Sequence, residues 1–189
     1  ILGHGKKDLS LLMSYSVSDR FLRLGGKLGF VITQSAFKTA GAAQGFRRFR
    51  IGAEVPLRIE RVDDLVDLTC FPGAGTRTSV FVWTKGKETT YPVEYHLWQK
   101  TATGKSIRDS TTLPDVLLMT RRLVLAAEPI TAADVTSPWL TARPEIISSL
   151  RRMRGQAEYQ AHEGANTGGA NDVYWVQVSD RRPDGSLAI

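Results

Sequence analysis

The sequence holds one cysteine, three histidines and three methionines in 189 residues. A lone Cys70 excludes an internal disulfide and a cysteine-based zinc site, and fits a reducing cytoplasm. His4, His96 and His162 are far apart with no carboxylate at ligand spacing, which argues against a metal centre. No apolar run reaches the roughly 18 to 20 residues of a membrane span, and no signal peptide is visible. No Ser, His and Asp set has the setting of a nucleophile elbow, since Ser10, Ser14 and Ser16 fall in a helical stretch. Asp63 and Asp64 are adjacent, so in a strand they point to opposite faces and cannot act as an acid/base pair. Internal repeats and low-complexity tracts are also missing. The net charge of +6 and pI near 9.7 permit binding to phosphate polyanions without requiring it.

What is present centres on residues 8 to 37. Asp8 is suited to an N-cap, and Leu9, Leu12, Met13, Val17, Phe21 and Leu24 recur at the spacing of one buried helical face, predicting a helix over about 8 to 24 closed by Gly25. Leu28 to Ile32 is an apolar run without alternation, the pattern of a strand covered on both faces. A helix feeding such a strand is half of an α/β unit, and in open α/β sheets ligands gather beyond the carboxyl ends of the strands, here Thr33 to Phe37.

Residues 40 to 50 form a glycine-interrupted turn with Arg47, Arg48 and Arg50, either a phosphate contact or a solvated end whose Phe46 and Phe49 pack inward. Leu57 to Leu68 alternates at first as a half-buried strand before softening into an acidic turn, and a further strand is expected over Thr78–Thr84. Between them lies Phe71-Pro72-Gly73-Ala74-Gly75-Thr76. A glycine loop cradles a nucleotide when a helix amino terminus follows it, whereas here a strand follows. The remaining readings are that the glycines let Phe71 present its ring at the edge of a site, or that Phe71 is an ordinary core residue before a turn. Residues 91 to 100 look extended, 101 to 112 loop-like, and 113 to 127 helical or extended. A helix is expected from about 145 to 154, a glycine and asparagine loop at 164 to 172 and a strand over Val173–Val178. The start at Ile1 and the stop just after the Pro183-Asp184-Gly185 turn suggest a segment of a longer protein.

The order helix, Gly-Gly, Phe30-Val31-Ile32-Thr33, Phe46-Arg47-Arg48-Phe49, Phe71-Pro72 and Thr78-Ser79-Val80-Phe81-Val82-Trp83 resembles the later half of the catalytic domain of adenine-specific DNA methyltransferases of restriction-modification and related phage-defence systems. It covers about residues 5 to 86, and Gly164, Thr167-Gly168-Gly169 and Asn171-Asp172-Val173-Tyr174 are similar to the opening of the family's target-recognition domain. The resemblance implies an α/β fold: the C-terminal half of a Rossmann-like, S-adenosylmethionine-dependent sheet ending in an antiparallel strand pair. It divides the chain into 1–90 (catalytic part), 91–155 (mixed connector) and 156–189 (start of a recognition domain). It further implies that Leu9 and Met13 line the cofactor's adenine pocket, that Phe71 stacks on a flipped adenine, and that Arg47, Arg48 and Arg50 touch the backbone of double-stranded DNA. The family's glycine-rich cofactor loop and its Asn/Asp-Pro-Pro-aromatic motif lie upstream, and neither Asn-Pro-Pro nor Asp-Pro-Pro occurs in this chain. The expectation is therefore an inactive fragment with no membrane partner, whose missing upstream part completes the enzyme. A non-catalytic basic DNA-binding module is the alternative.

Overall fold

The computed structural model describes residues 8–41, 43–68, 70–71, 77–101, 107–108, 110–153, 179–184 and 187–188. The expected loop at 164 to 172, the strand at 173 to 178, the recognition-domain match, His4, His162, all of Pro72–Thr76 and half of the 101–112 loop lie outside them. The chain separates into two compact units, residues 1–153 and 154–189.

The first unit is α/β, a mixed seven-stranded sheet in the order β1-β4-β3-β5-β6-β7 with a short β2 paired to β3. Its strands are β1 (Lys27–Thr33), β2 (Arg50–Ile51), β3 (Val55–Asp64), β4 (Thr78–Lys85), β5 (Val93–Lys100), β6 (Thr120–Thr131) and β7 (Asp134–Ala142). β4 runs antiparallel to both β1 and β3, while β3 and β5 are parallel. The element that follows the glycine stretch is thus a strand, β4, as expected, and not a helix. The helices are α1 (Leu9–Phe21), α2 (Ser35–Lys38), α3 (Leu113–Met119) and α4 (Pro144–Arg152), with a 3-10 turn at Phe46–Arg48. No helix among the described residues is long and apolar enough to cross a membrane.

Residues 91 to 142 correct the connector expectation. Three strands in this stretch continue the sheet, so the first unit does not end near residue 90. In the second unit, Asp180–Arg181 (β8) pairs antiparallel with Leu187–Ala188 (β9), so the turn at Pro183 does have its return strand.

The core is aromatic. Phe37, Phe46, Phe49, Phe81, Trp83 and Trp139 are buried together, and Tyr15 and Tyr91 pack against them. Most of their ring pairs are edge-on or tilted, the arrangements that ring quadrupoles favour. Helix α1 joins this core by an unexpected face. Leu11, Ser14 and Ser18 are its buried residues, Trp83 Nε1 donates to Ser18 Oγ at 2.9 Å, and Tyr15 donates to the Phe46 carbonyl at 2.6 Å. The predicted buried stripe points outward instead: Leu9, Leu12, Met13, Phe21 and Leu24 are all exposed.

The end of α1 also differs from expectation. The helix stops at Phe21 with an extended Leu22, and Gly25, at φ 77°, shapes the turn into β1 rather than the cap. Capping falls to Lys85, whose buried ammonium donates to the carbonyls of Ser18, Asp19 and Leu22 at 2.8 to 2.9 Å. A cation there satisfies orphan carbonyls and meets the negative end of the helix dipole. Strand β1 is an edge strand: Leu28, Phe30 and Ile32 turn inward, whereas Gly29 and Val31 are exposed, so it is covered on one face.

Candidate functional site

The carboxyl ends of β1, β3 and β5 lie along one edge of the sheet, because β4 runs opposite to both β1 and β3 and β5 runs with β3. Side chains tie that edge together. Asp8 Oδ1 caps α1 by accepting from the Ser10 amide at 2.9 Å, and its Oδ2 accepts from Thr33 Oγ1 at 3.3 Å, anchoring the start of the helix to the end of β1. The Gln34 amide donates to the Arg77 carbonyl at 2.8 Å, joining the exit of β1 to the entry of β4.

Asp64 is the buried hub. Its Oδ2 accepts from Tyr95 Oη at 2.5 Å and Gln34 Nε2 at 3.1 Å, while Oδ1 accepts from the Val66 amide at 3.1 Å. A carboxylate so engaged ties the exit of β1, the end of β3 and β5 together. Burial, reinforced by the Asp64 charge, pushes the Tyr95 phenol far above its ordinary value, so it stays a donor. Lys38 reaches the same neighbourhood: its Nζ lies 4.7 Å from the Tyr95 ring centroid and donates to Thr141 Oγ1. Burial pulls its ammonium down to about 8, partly opposed by Asp64.

Asp63, one residue earlier, points to the other face of the sheet, as strand alternation requires. It accepts from Trp98 Nε1 and Arg61 Nε, both at 2.8 Å. Buried His96 stands 3.4 Å from Asp63 Oδ1 through Nδ1 and 2.5 Å from Glu94 Oε1 through Nε2. Among the described residues, no group of three or more His, Cys, Asp or Glu side chains could hold a metal ion.

Phe71 lies on the link from the carboxyl end of β3 to β4, and its side chain is half exposed at 49%. Beside it, burial raises the Cys70 thiol. Leu9 (67% exposed) and Met13 (49%) lie on the outward face of α1, with Leu9 next to the Asp8–Thr33 bond. Since β4 separates β1 from β3, the carboxyl ends of those two strands stand two strand spacings apart, roughly 10 Å.

The three arginines do not act together. Arg47 is buried, donating to the carbonyls of Ala36 and Thr136 at 2.7 Å each, and burial lowers its pKa. It is thus a packing residue, which corrects its expected contact with a DNA backbone. Arg50 pairs with Glu88 and donates to the Ala53 carbonyl, while Arg48 alone of the three is exposed. Sequence reasoning passed over Lys38, Lys85 and the Trp98–Arg122 pair, in which the guanidinium carbon lies 5.1 Å from the ring centroid. The paired arginines at 121 and 122 were the available signal for the last.

No family model and no curated protein matches the chain. Among solved structures it is similar to a chain described as "Structural basis underlying complex assembly and conformational transition of the type I R-M system", with a TM-score of 0.40, 13% identity and coverage of 65% of this chain and 32% of that one. It is also similar to the type I restriction enzyme EcoKI M protein, with a TM-score of 0.35, 17% identity and coverage of 70% and 34%. The chain spans about a third of the length of both. Likenesses of this depth leave function to be argued from the chain's own residues.

Proposed function

We propose that this chain is the later part of the catalytic domain of a DNA adenine-N-methyltransferase of a restriction-modification system, which moves a methyl group from S-adenosylmethionine to the exocyclic amino group of a flipped adenine. The observation that carries the reading is the half-exposed Phe71 ring at the carboxyl end of β3, on the sheet edge where α1 begins beside Thr33. A base drawn from a duplex loses its stacking partners, and an aromatic face at the sheet edge offsets part of that cost. In this reading Leu9, with Met13 a turn further on, contributes apolar contact to the cofactor's adenine, and Arg48 is the backbone contact left from the arginine turn.

The outer edge of β1, without a strand partner among the described residues, and the outward apolar stripe of α1 support the fragment part of the reading, since both offer surface to an upstream half carrying the glycine-rich loop and the Asn/Asp-Pro-Pro-aromatic motif. The test uses tritiated S-adenosylmethionine and duplex DNA, followed by digestion to nucleosides. The longer protein is expected to deposit label on adenine and the 189-residue chain to deposit none. Label on cytosine, or transfer by the chain itself, would contradict the reading.

A further inference from the structure

We infer that the projecting end of the β5–β6 ribbon, built from Trp98, Lys100, Arg121 and Arg122, is a docking surface for the phosphodiester backbone of a nucleic acid. Three cations without an ion pair among the described residues, Lys100, Arg121 and Arg122, are gathered at this end. Arg50, Arg58, Arg61 and Arg151, by contrast, each have a carboxylate within 4 Å.

The geometry prepares them for an anion. β5 and β6 pair from Val93↔Ala127 to Lys100↔Thr120, but β7 pairs with β6 only from Ala126 onward, so residues 120 to 125 have an outer edge without a strand partner among the described residues. Trp98 and Arg122 are register partners, and the guanidinium sits over the indole, whose Nε1 is fixed by Asp63 at 2.8 Å. No acceptor for the Arg122 N–H groups is found among the described residues, and a guanidinium's fork of donors fits a phosphate. Arg121, on the opposite face of the strand, is steadied by donating to Gln99 Oε1 at 3.2 Å, and both arginines are exposed. The ribbon end lies along the sheet edge from which the Phe71 link leaves β3, because Asp64 is in register with Leu97 and the strand runs on to Lys100.

The inference rests on the DNA-directed reading above but is separately testable. The binding of a fluorescein-labelled random-sequence duplex to the chain is followed by anisotropy across a salt series. For Arg121→Ala/Arg122→Ala, affinity should fall about tenfold or more near 0.1 M salt, with the log–log salt slope reduced by about 2. Trp98→Leu, which keeps every charge, should weaken binding severalfold, and the charge-matched control Arg143→Ala/Arg152→Ala should bind as the unaltered chain does. Circular dichroism melts confirm that each variant folds. The inference is overturned if the ribbon variant binds normally, if the control weakens equally, or if the unaltered chain does not bind the duplex. Phe71→Ala is expected to retain duplex binding by the chain, so loss of methyl transfer through Phe71 and loss of duplex binding through the ribbon fail or stand independently.

Discussion

The two faces of α1 are made of opposite materials. Its inner face is narrow and hydrogen-bonded, with Ser14 and Ser18 wholly buried, Tyr15 reaching the Phe46 carbonyl and Trp83 bonding to Ser18. Its outer face carries Leu9, Leu12, Met13 and Phe21 in the open. Ser18 and Tyr15 meet the Trp83 ring, and the buried hydroxyls of Ser14 and Ser18 are each bonded. Helix attachment therefore depends on a few specific bonds and one ring wall, while the larger apolar surface contributes little until something covers it.

The inner face is where substitution should cost most. Trp83→Ala removes a fully buried ring in contact with Tyr15, Phe46 and Phe81, and is expected to cost about 3 to 5 kcal/mol in denaturant unfolding. Lys85→Met strips the donor from three helix-terminal carbonyls; about 2 kcal/mol should be lost, with faster amide exchange confined to the last turn of α1. A normal exchange pattern there would show that the ring wall alone holds the helix.

A smaller, pH-dependent effect comes from Lys38. Its folded pKa of about 8 lies below the ordinary 10.5, so between these values the unfolded chain binds more protons and stability should rise with pH. Burial also raises the Cys70 thiol, which acts in the opposite sense above its ordinary 9.0, so the comparison with Lys38→Met isolates the lysine. The wild type should gain on the variant from about pH 8 upward, and parallel profiles would remove the buried-ammonium account. Least affected should be the outer face: Leu12→Ser and Phe21→Ser are expected to change the chain's stability by no more than about 0.5 kcal/mol. A loss of 2 kcal/mol or more would mean that the outer stripe is already packed and that the two faces do not differ as described.

Much of this was legible in advance, and the failures are instructive. The cap at Asp8, the strand beginning at Thr78 and the opposed directions of Asp63 and Asp64 follow from local rules and are present. The periodicity of α1 located a stripe correctly but not its surroundings, because a spacing of three and four identifies an apolar face without saying whether anything lies against it. Arg47 was read as a surface cation because its acceptors, the carbonyls of Ala36 and Thr136, are set by packing, one of them 89 residues away. The extension of the sheet through β5 was hidden for a similar reason: Glu94-Tyr95-His96-Leu97-Trp98 lacks clean alternation, and β4 lies between it and its parallel partner β3 along the sequence. At the candidate site the Phe71 loop could be located from sequence, whereas the Asp64, Tyr95 and Gln34 network that braces the edge could not, since its members come from three distant segments.

The most direct test of the central claim is the rate of methyl transfer to DNA by the longer protein carrying Phe71→Ala, set beside Phe71→Tyr. If the ring stacks on an extruded adenine, alanine should cost about 1 to 3 kcal/mol of stabilisation, a roughly five- to 150-fold loss, and tyrosine should restore most of it. Equal rates for the alanine variant and the wild type would contradict the assignment.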